Sequence, residues 1–382
     1  MAGLIITPVH CGDAAEDFAA SARAFSEKGD FVSAEIGYNR AISLAQTNPV
    51  YYFERAKVKI LKGQLTAAIV DLKIALIFAP HYDEAAEELI ALYCRLENYN
   101  EAHQVAQSIL AQKDIMPTAR FYLWSAIAAH ELALEEIARE RIEQALKLGS
   151  DDLLTHFYHA KILLALQEFD GAYASISRAI KLQPEDPALY ATRAFISLAK
   201  WVVTHRAAEQ IPKELAESIQ SDLYQFEGSH PDFCDPLDTR ALFLMITGKW
   251  NDAARKLKTI DRHRFSARQQ AIRLIRLYLL GVCQRKRQDL PHILEENGND
   301  YLGLPSWLRN MLNSIRRHQP LHESLSSELQ NASAMSMYWL LLGIQYLENN
   351  PRKSRIYLEL ASLHPVTFEA LIARMLIRDY KH

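Results

Sequence analysis

The sequence predicts an all-α chain, a solenoid of stacked helix-turn-helix hairpins, from three observations. A small residue returns after a turn at nearly constant spacing: Ala34, Ala68, Ala102, Ala138 and Ala172 stand 34, 34, 36 and 34 residues apart. Gly and Pro are sparse, 13 and 14 in 382 residues, and no stretch alternates apolar and polar residues over a strand's length. The hydrophobic share, 49% against 23% charged, is ample for an extended core and too high for a disordered chain. A single hairpin cannot bury its apolar face alone, so successive hairpins must stack.

Residues 1–13 read as a lead-in. Leu4, Ile5 and Ile6 are apolar, but no basic segment precedes them and the run is short, so the segment does not read as a secretory signal. Residues 14–200 form a regular array of five to six hairpins. The stretch from Pro49 to Pro80 shows the plan: a first helix to about Lys62, a turn at Gly63 and Gln64, and a second helix from Leu65 to Phe78 that Pro80 stops. On that second helix Ala68, Leu72 and Ala75 recur at i, i+4 and i+7, placing small residues where two helices approach closely. The triplet returns as Ala34, Tyr38 and Ala41, as Ala138, Ile142 and Ala145, and as Ala172, Ile176 and Ala179.

Residues 201–365 keep the plan with a looser rhythm. Trp201 to Pro231 extends one repeat by an extra helix, opened at Lys213 by Pro212 and ended by Gly228 to Pro231. Arg287 to Leu321, with Pro291, Gly298, Gly303, Pro305 and Pro320, predicts short helices joined by irregular turns. Residues 366–382 place Phe368, Leu371, Ile372, Met375 and Leu376 on one helical face. That pattern predicts a capping helix that shields the open end of the core.

The run Trp339-x-x-Leu342-Gly343-x-x-Tyr346, followed by Ser354, Leu358, Ala361 and Pro365, resembles the tetratricopeptide repeat family. The resemblance spans Ala14 to Gln183, Leu237 to Ile260 and Met337 to Pro365. It implies a right-handed superhelical array in which the Leu-Gly pair lets a first helix pack on its partner and the aromatic residues fill space between hairpins. Arg55-Ala56, His159-Ala160 and Arg193-Ala194 replace the Leu-Gly pair, so degenerate packing is expected there.

The resemblance further implies a ligand groove along the inner face of the first helices. Helical spacing puts Phe53, Lys57 and Ile60 on that face, then Glu84, Glu87 and Cys94, then Arg120, Leu123, Ile127 and His130. Leu154, Phe157, Lys161 and Leu164 follow, and then Ala191, Phe195 and Leu198. Apolar sockets mixed with isolated charges suit an amphipathic peptide or helix of a partner protein, or else the large residues simply fill a curled interior. One subgroup of the family grips a carboxyl-terminal carboxylate with Lys, Asn and Arg. Here the matching helices offer Ala19, Arg23, Glu54, Glu84 and Glu88, which would repel an acidic terminus and favour a basic segment.

Charge is uneven along the chain. Between Asp252 and Arg287 stand Arg255, Lys256, Lys258, Arg262, Arg264, Arg268, Arg273, Arg276, Arg285, Lys286 and Arg287 against Asp252 and Asp261. That segment carries +9 in a chain of net charge −3, and the remainder carries −12. Such a segment suits nucleic acid, an anionic lipid or an acidic protein face, or pairs with acidic neighbours in the array. The arginines alternate with apolar residues at helical spacing, without an aromatic stacking platform.

No phosphate-loop, nucleophile-elbow, zinc-helix or dinucleotide signature appears, so no enzymatic activity and no cofactor are expected. His156 and His159 stand i, i+3 without a carboxylate or cysteine to complete a metal site, and read as packing or groove residues. Cys11, Cys94, Cys234 and Cys283 lie far apart, which fits a reducing compartment and a cytoplasmic address. The expectation is a non-catalytic scaffold, adaptor or chaperone-like protein, with the basic segment or a role as regulatory subunit of a separate enzyme as alternatives.

Overall fold

A computed structural model describes residues 11–112, 117–205, 210–225, 236–247, 249, 252–253, 306–316, 321, 332–346, 350–363 and 368–379. Among these residues there are helices and no strands. The chain divides into two compact units, Met1–His130 with Glu140–Ser150, and Glu131–Arg139 with Asp151–His382.

In the first unit the helices are α1 (Cys11–Glu27), α2 (Phe31–Leu44), α3 (Pro49–Leu61), α4 (Leu65–Phe78), α5 (Asp83–Arg95), α6 (Tyr99–Leu110) and α7 (Ala119–Glu131), with most of α8 (Glu135–Lys147). Each helix packs on the next from α1 through α6. Capping side chains set the starts: Asp30 accepts from the Ser33 amide at 3.1 Å, and Asn48 accepts from the Val50 amide at 3.0 Å ahead of Pro49. The triplets read from the sequence are fully buried, with Ala34, Ala68 and Ala138 at 0% exposure and Tyr38, Leu72 and Ile142 at 1% or less.

The turns within the hairpins carry the period as well. Gly29, Gly63, Glu97, Ala133 and Gln167 all have positive φ, between 58° and 79°, and repeat at the same 34- and 36-residue spacing. At four of them the following amide bonds back five residues, Asp30 to Phe25, Gln64 to Lys59, Asn98 to Tyr93 and Glu168 to Leu163. This is the Schellman ending, which satisfies carbonyls the helix leaves open. Two of the five positions are glycine; the other three hold a side chain in a backbone region that disfavours one.

The positions where the Leu-Gly pair is lost are packed by specific pairs sixteen residues apart. Arg55 donates to Asp71 from Nε at 2.8 Å and Nη2 at 2.7 Å, and Lys59 Nζ meets the same carboxylate at 2.7 Å. His159 Nδ1 and Ser175 Oγ are 3.0 Å apart. In the fourth hairpin the direction reverses, and Arg141 Nη1 donates to the Ser125 carbonyl at 3.2 Å. Leu89 at the equivalent place is buried and apolar. In the first hairpin Gly37, sixteen residues after Ser21, permits closest approach: a Cβ there would lie 2.8 Å from the Ala22 Cβ. The expected degenerate packing is thus a set of hairpins each closed by its own chemistry.

The second unit contains α9 (Leu153–Ala165), α10 (Phe169–Leu182), α11 (Pro187–Thr204), α12 (Lys213–Tyr224), α13 (Pro236–Ile246), α14 (Ser306–Arg316), α15 (Ala332–Tyr346), α16 (Pro351–Leu363) and α17 (Phe368–Asp379). Proline at the start of α11 follows the Asp186 cap, which accepts from the Ala188 amide at 2.9 Å. Arg193 on α11 grips Asp222 on α12 at 2.9 Å and 2.5 Å. The contact matches Arg55 to Asp71, but its partners stand 29 residues apart instead of 16. Helix α12 therefore takes the second-helix role of a hairpin carrying a thirteen-residue insertion. Near the chain end Leu342 and Gly343 meet α16 closely: a Cβ on Gly343 would fall 2.7 Å from the Leu358 side chain. Ser354 Oγ donates to the Gly343 carbonyl at 2.7 Å. Helix α17 packs on α11, α13, α15 and α16 with Leu371 and Ile372 buried; the side chains of Phe368, Met375 and Leu376 lie outside the described set.

Candidate functional site

In the first unit Phe53, one of the predicted groove residues, pairs with another aromatic side chain. The Phe53 ring on α3 lies 5.0 Å from the Tyr82 ring just before α5, with planes at 53°. Both are half-buried. The Lys57 ammonium stands 5.3 Å over the Phe53 ring and 3.2 Å from Glu54 Oε1, one turn back on the same helix. Burial, with the charges of Glu84 and Glu54, pushes the Tyr82 phenol up to about 12. Glu84 is exposed in the first turn of α5, where the helix dipole favours its charge.

One turn along α5, Glu87 and Glu88 receive Arg120 from α7 at 3.1 Å and 3.5 Å, and the Thr118 hydroxyl donates to Glu87. Glu54, Glu84, Glu87 and Glu88 outnumber Lys57 and Arg120, so this face is net acidic. Both of those cations are already matched to carboxylates. Leu123 and Ile127 on α7 are buried at 4% and 2% exposure. Cys94 is buried with its Sγ 3.6 Å from the Trp124 carbonyl. Ile60 and His130 are half-buried.

In the second unit Phe157 is 3% exposed and belongs to the core. Lys161 lies 4.8 Å over the Tyr158 ring and 3.3 Å from Glu131 Oε1. Phe195 is half-buried against the core, whereas Ala191 and Leu198 are fully buried. The residues available to a ligand are therefore Phe53, Lys57, Glu84 and Arg120 in one unit and Lys161 and Phe195 in the other. Leu123, Ile127 and Phe157 face neighbouring side chains. Helical spacing did not single out Tyr82, because it lies in the linker outside the helical register.

His156 and His159 engage different partners: His156 Nε2 lies 2.6 Å from Asp151, and His159 contacts Ser175. Hydrogen bonds from Arg178 and from His156 hold the Asp151 carboxyl down at about 2. Among the described residues no group of three His, Cys, Asp or Glu side chains is placed to hold a metal ion. Among them, too, no helix is long and apolar enough to cross a membrane. The basic stretch of Arg262, Arg264, Arg268, Arg273, Arg276, Arg285, Lys286 and Arg287 lies outside the described residues.

No family model matches the chain. A tetratricopeptide repeat-containing thioredoxin of Arabidopsis thaliana, TTL4, is 35% identical over 77 residues, 20% of this chain and 11% of that protein, so the match spans about a tenth of the relative's length. The crystal structure of a tetratricopeptide repeat protein from Parabacteroides merdae covers 70% of this chain and 99% of its own, with a TM-score of 0.51 at 18% identity. Pseudomonas aeruginosa pilF superposes at a TM-score of 0.46 and 13% identity, over 57% of this chain and 95% of its own. Stacked hairpins, a 34-residue period and the Parabacteroides likeness agree: the chain has the fold of a tetratricopeptide repeat array.

Proposed function

We propose that the protein is a non-catalytic scaffold that holds a peptide or helix of a partner protein, and that the Phe53–Tyr82 face of the first unit makes the contact. The observation that carries this reading is the aromatic pair itself, half-buried and with the charges of Glu84 and Glu54 acting on Tyr82. The open edge of the pair is where an apolar group of a partner could be seated. An apolar or aromatic anchor seated there, with Lys or Arg flanking it, would meet complementary charge from Glu54, Glu84, Glu87 and Glu88. Lys161 and Phe195 offer the second unit a smaller set of the same kind, and the buried Leu123, Ile127 and Phe157 support their faces without touching the ligand. The role as adaptor or chaperone-like protein follows from which partner is held.

Affinity capture from a native extract, with cross-linking to locate the contact, tests this. Removing the Phe53 ring removes on the order of 2 kcal/mol of apolar contact, so Phe53→Ala should weaken capture at least tenfold. Glu84→Lys should weaken it further and make it less sensitive to salt. A partner retained equally by the wild type and the Phe53→Ala, Glu84→Lys double variant would place binding elsewhere.

A further inference from the structure

The thirteen-residue insertion between α11 and α12 builds a cavity that the regular hairpins do not need. Helix α11 has 18 residues where α9, also a first helix, has 13. The added turn carries Lys200 and Trp201 over the start of α10. With Phe169 and Tyr173 of α10, Pro212 and Leu215 of the returning segment close around a space of about 480 Å³. That volume is within the range of small-molecule sites, and so is a lining dominated by aromatic and aliphatic groups. Trp201 is held as a wall by His205, whose ring stacks on it at 3.6 Å and 19°. Insertions in repeat proteins collect on one face and are where binding loops are built.

The rim decides the charge of the occupant. Lys200 Nζ lies 2.6 Å from Asp170 Oδ1, the side chains being 48% and 90% exposed. Such a pair contributes little in water. If a ligand displaces Asp170, that carboxylate passes into solvent that already surrounds it, and the Lys200 ammonium gains a new anion. If a ligand displaces Lys200 instead, the less exposed of the two side chains loses its partner, which is the less favourable exchange. Arg193, whose guanidinium lies 5.7 Å from the Tyr173 ring, is committed to Asp222 and leaves Lys200 as the cation that faces the occupant.

We propose that this cavity binds a small aromatic carboxylate, its ring among Phe169, Tyr173, Trp201 and Leu215 and its anion on Lys200. The probe is 2-naphthylacetate, with its neutral amide and 2-(2-naphthyl)ethylamine as charge controls, titrated into the full chain and read by saturation-transfer NMR and calorimetry. The acid should bind, with the amide and the amine each at least tenfold weaker. Lys200→Met should weaken the acid about tenfold and leave the amide unchanged, while Asp170→Ala should strengthen the acid two- to threefold. Tyr173→Ala, at a side chain already 41% exposed, should weaken acid and amide together without disturbing the fold, as circular dichroism would show. Absence of saturation transfer to the wild type at millimolar acid would overturn the assignment. So would equal binding of acid and amide, preference for the amine, or an unchanged affinity in Lys200→Met.

Discussion

Ala133→Gly should make the protein more stable, although glycine is the least favourable helix residue after proline and the substitution removes a methyl group without adding any contact. Ala133 sits at φ 59° in the turn equivalent to Gly63, whose φ is 74°. An L residue pays about 1–2 kcal/mol in this region. Glycine does not, but it gives the unfolded chain more freedom, worth about 0.4–1 kcal/mol against folding. The difference leaves a net gain of about 0.8 kcal/mol. With a urea dependence of ~2 kcal/mol per molar, that gain raises the unfolding midpoint by about 0.4 M. Ala133 is exposed, so no lost packing obscures the effect. The reverse experiment is built into the same protein. A Cβ on Gly63 would meet nothing within 4 Å, so Gly63→Ala isolates the backbone cost and should lower the midpoint by a similar amount. Urea unfolding of the two variants, followed by circular dichroism, checks both signs. A lower midpoint for Ala133→Gly, or no change for Gly63→Ala, would refute the claim that the repeating turn is held in a strained region.

Gly37→Ala should destabilise α1 against α2 by about 1–3 kcal/mol, because its Cβ would stand 2.8 Å from the Ala22 Cβ and 3.2 Å from the Phe18 carbonyl, neither of which can swing away; a thermal melt reads this directly. Asp71→Ala should cost about 3–5 kcal/mol by stranding Arg55 and Lys59, whose side chains are 16% and 13% exposed. Asp71→Asn, which keeps an acceptor, should recover part of that loss in the same urea assay. Burial and the adjacent Arg141 hold the His103 imidazole below its ordinary value. The unfolded chain then binds the extra proton more readily, so this contribution is complete above about pH 6.5 and is lost as the pH falls below it. His103→Gln should flatten the fall in urea midpoint between about pH 7.5 and pH 5, and an identical slope in wild type and variant would rule the imidazole out.

The period was legible because one geometric demand recurs unchanged: where two helices of a hairpin cross, only a small side chain fits, so Ala34, Ala68, Ala102, Ala138 and Ala172 all lie at 0% exposure. The closing contact between residues sixteen apart escaped a reading based on residue type, because the fold asks there only for a matched pair. An apolar Leu89, an ion pair of Arg55 with Asp71, a hydrogen bond of His159 with Ser175 and the reversed Arg141 to Ser125 all satisfy it. Burial was not legible at the predicted groove positions. Helical spacing says which way Phe157, Leu123 and Ile127 point, yet what covers a side chain is the next element, and these three are covered while Phe53 and Phe195 keep an edge open. The same logic explains the insertion. Arg193 takes its Asp from 29 residues on, after the chain has travelled thirteen residues further than in the hairpin of Arg55. A sequence that delays its closing pair has spent the intervening residues on something other than the repeat, and here they help to line a cavity.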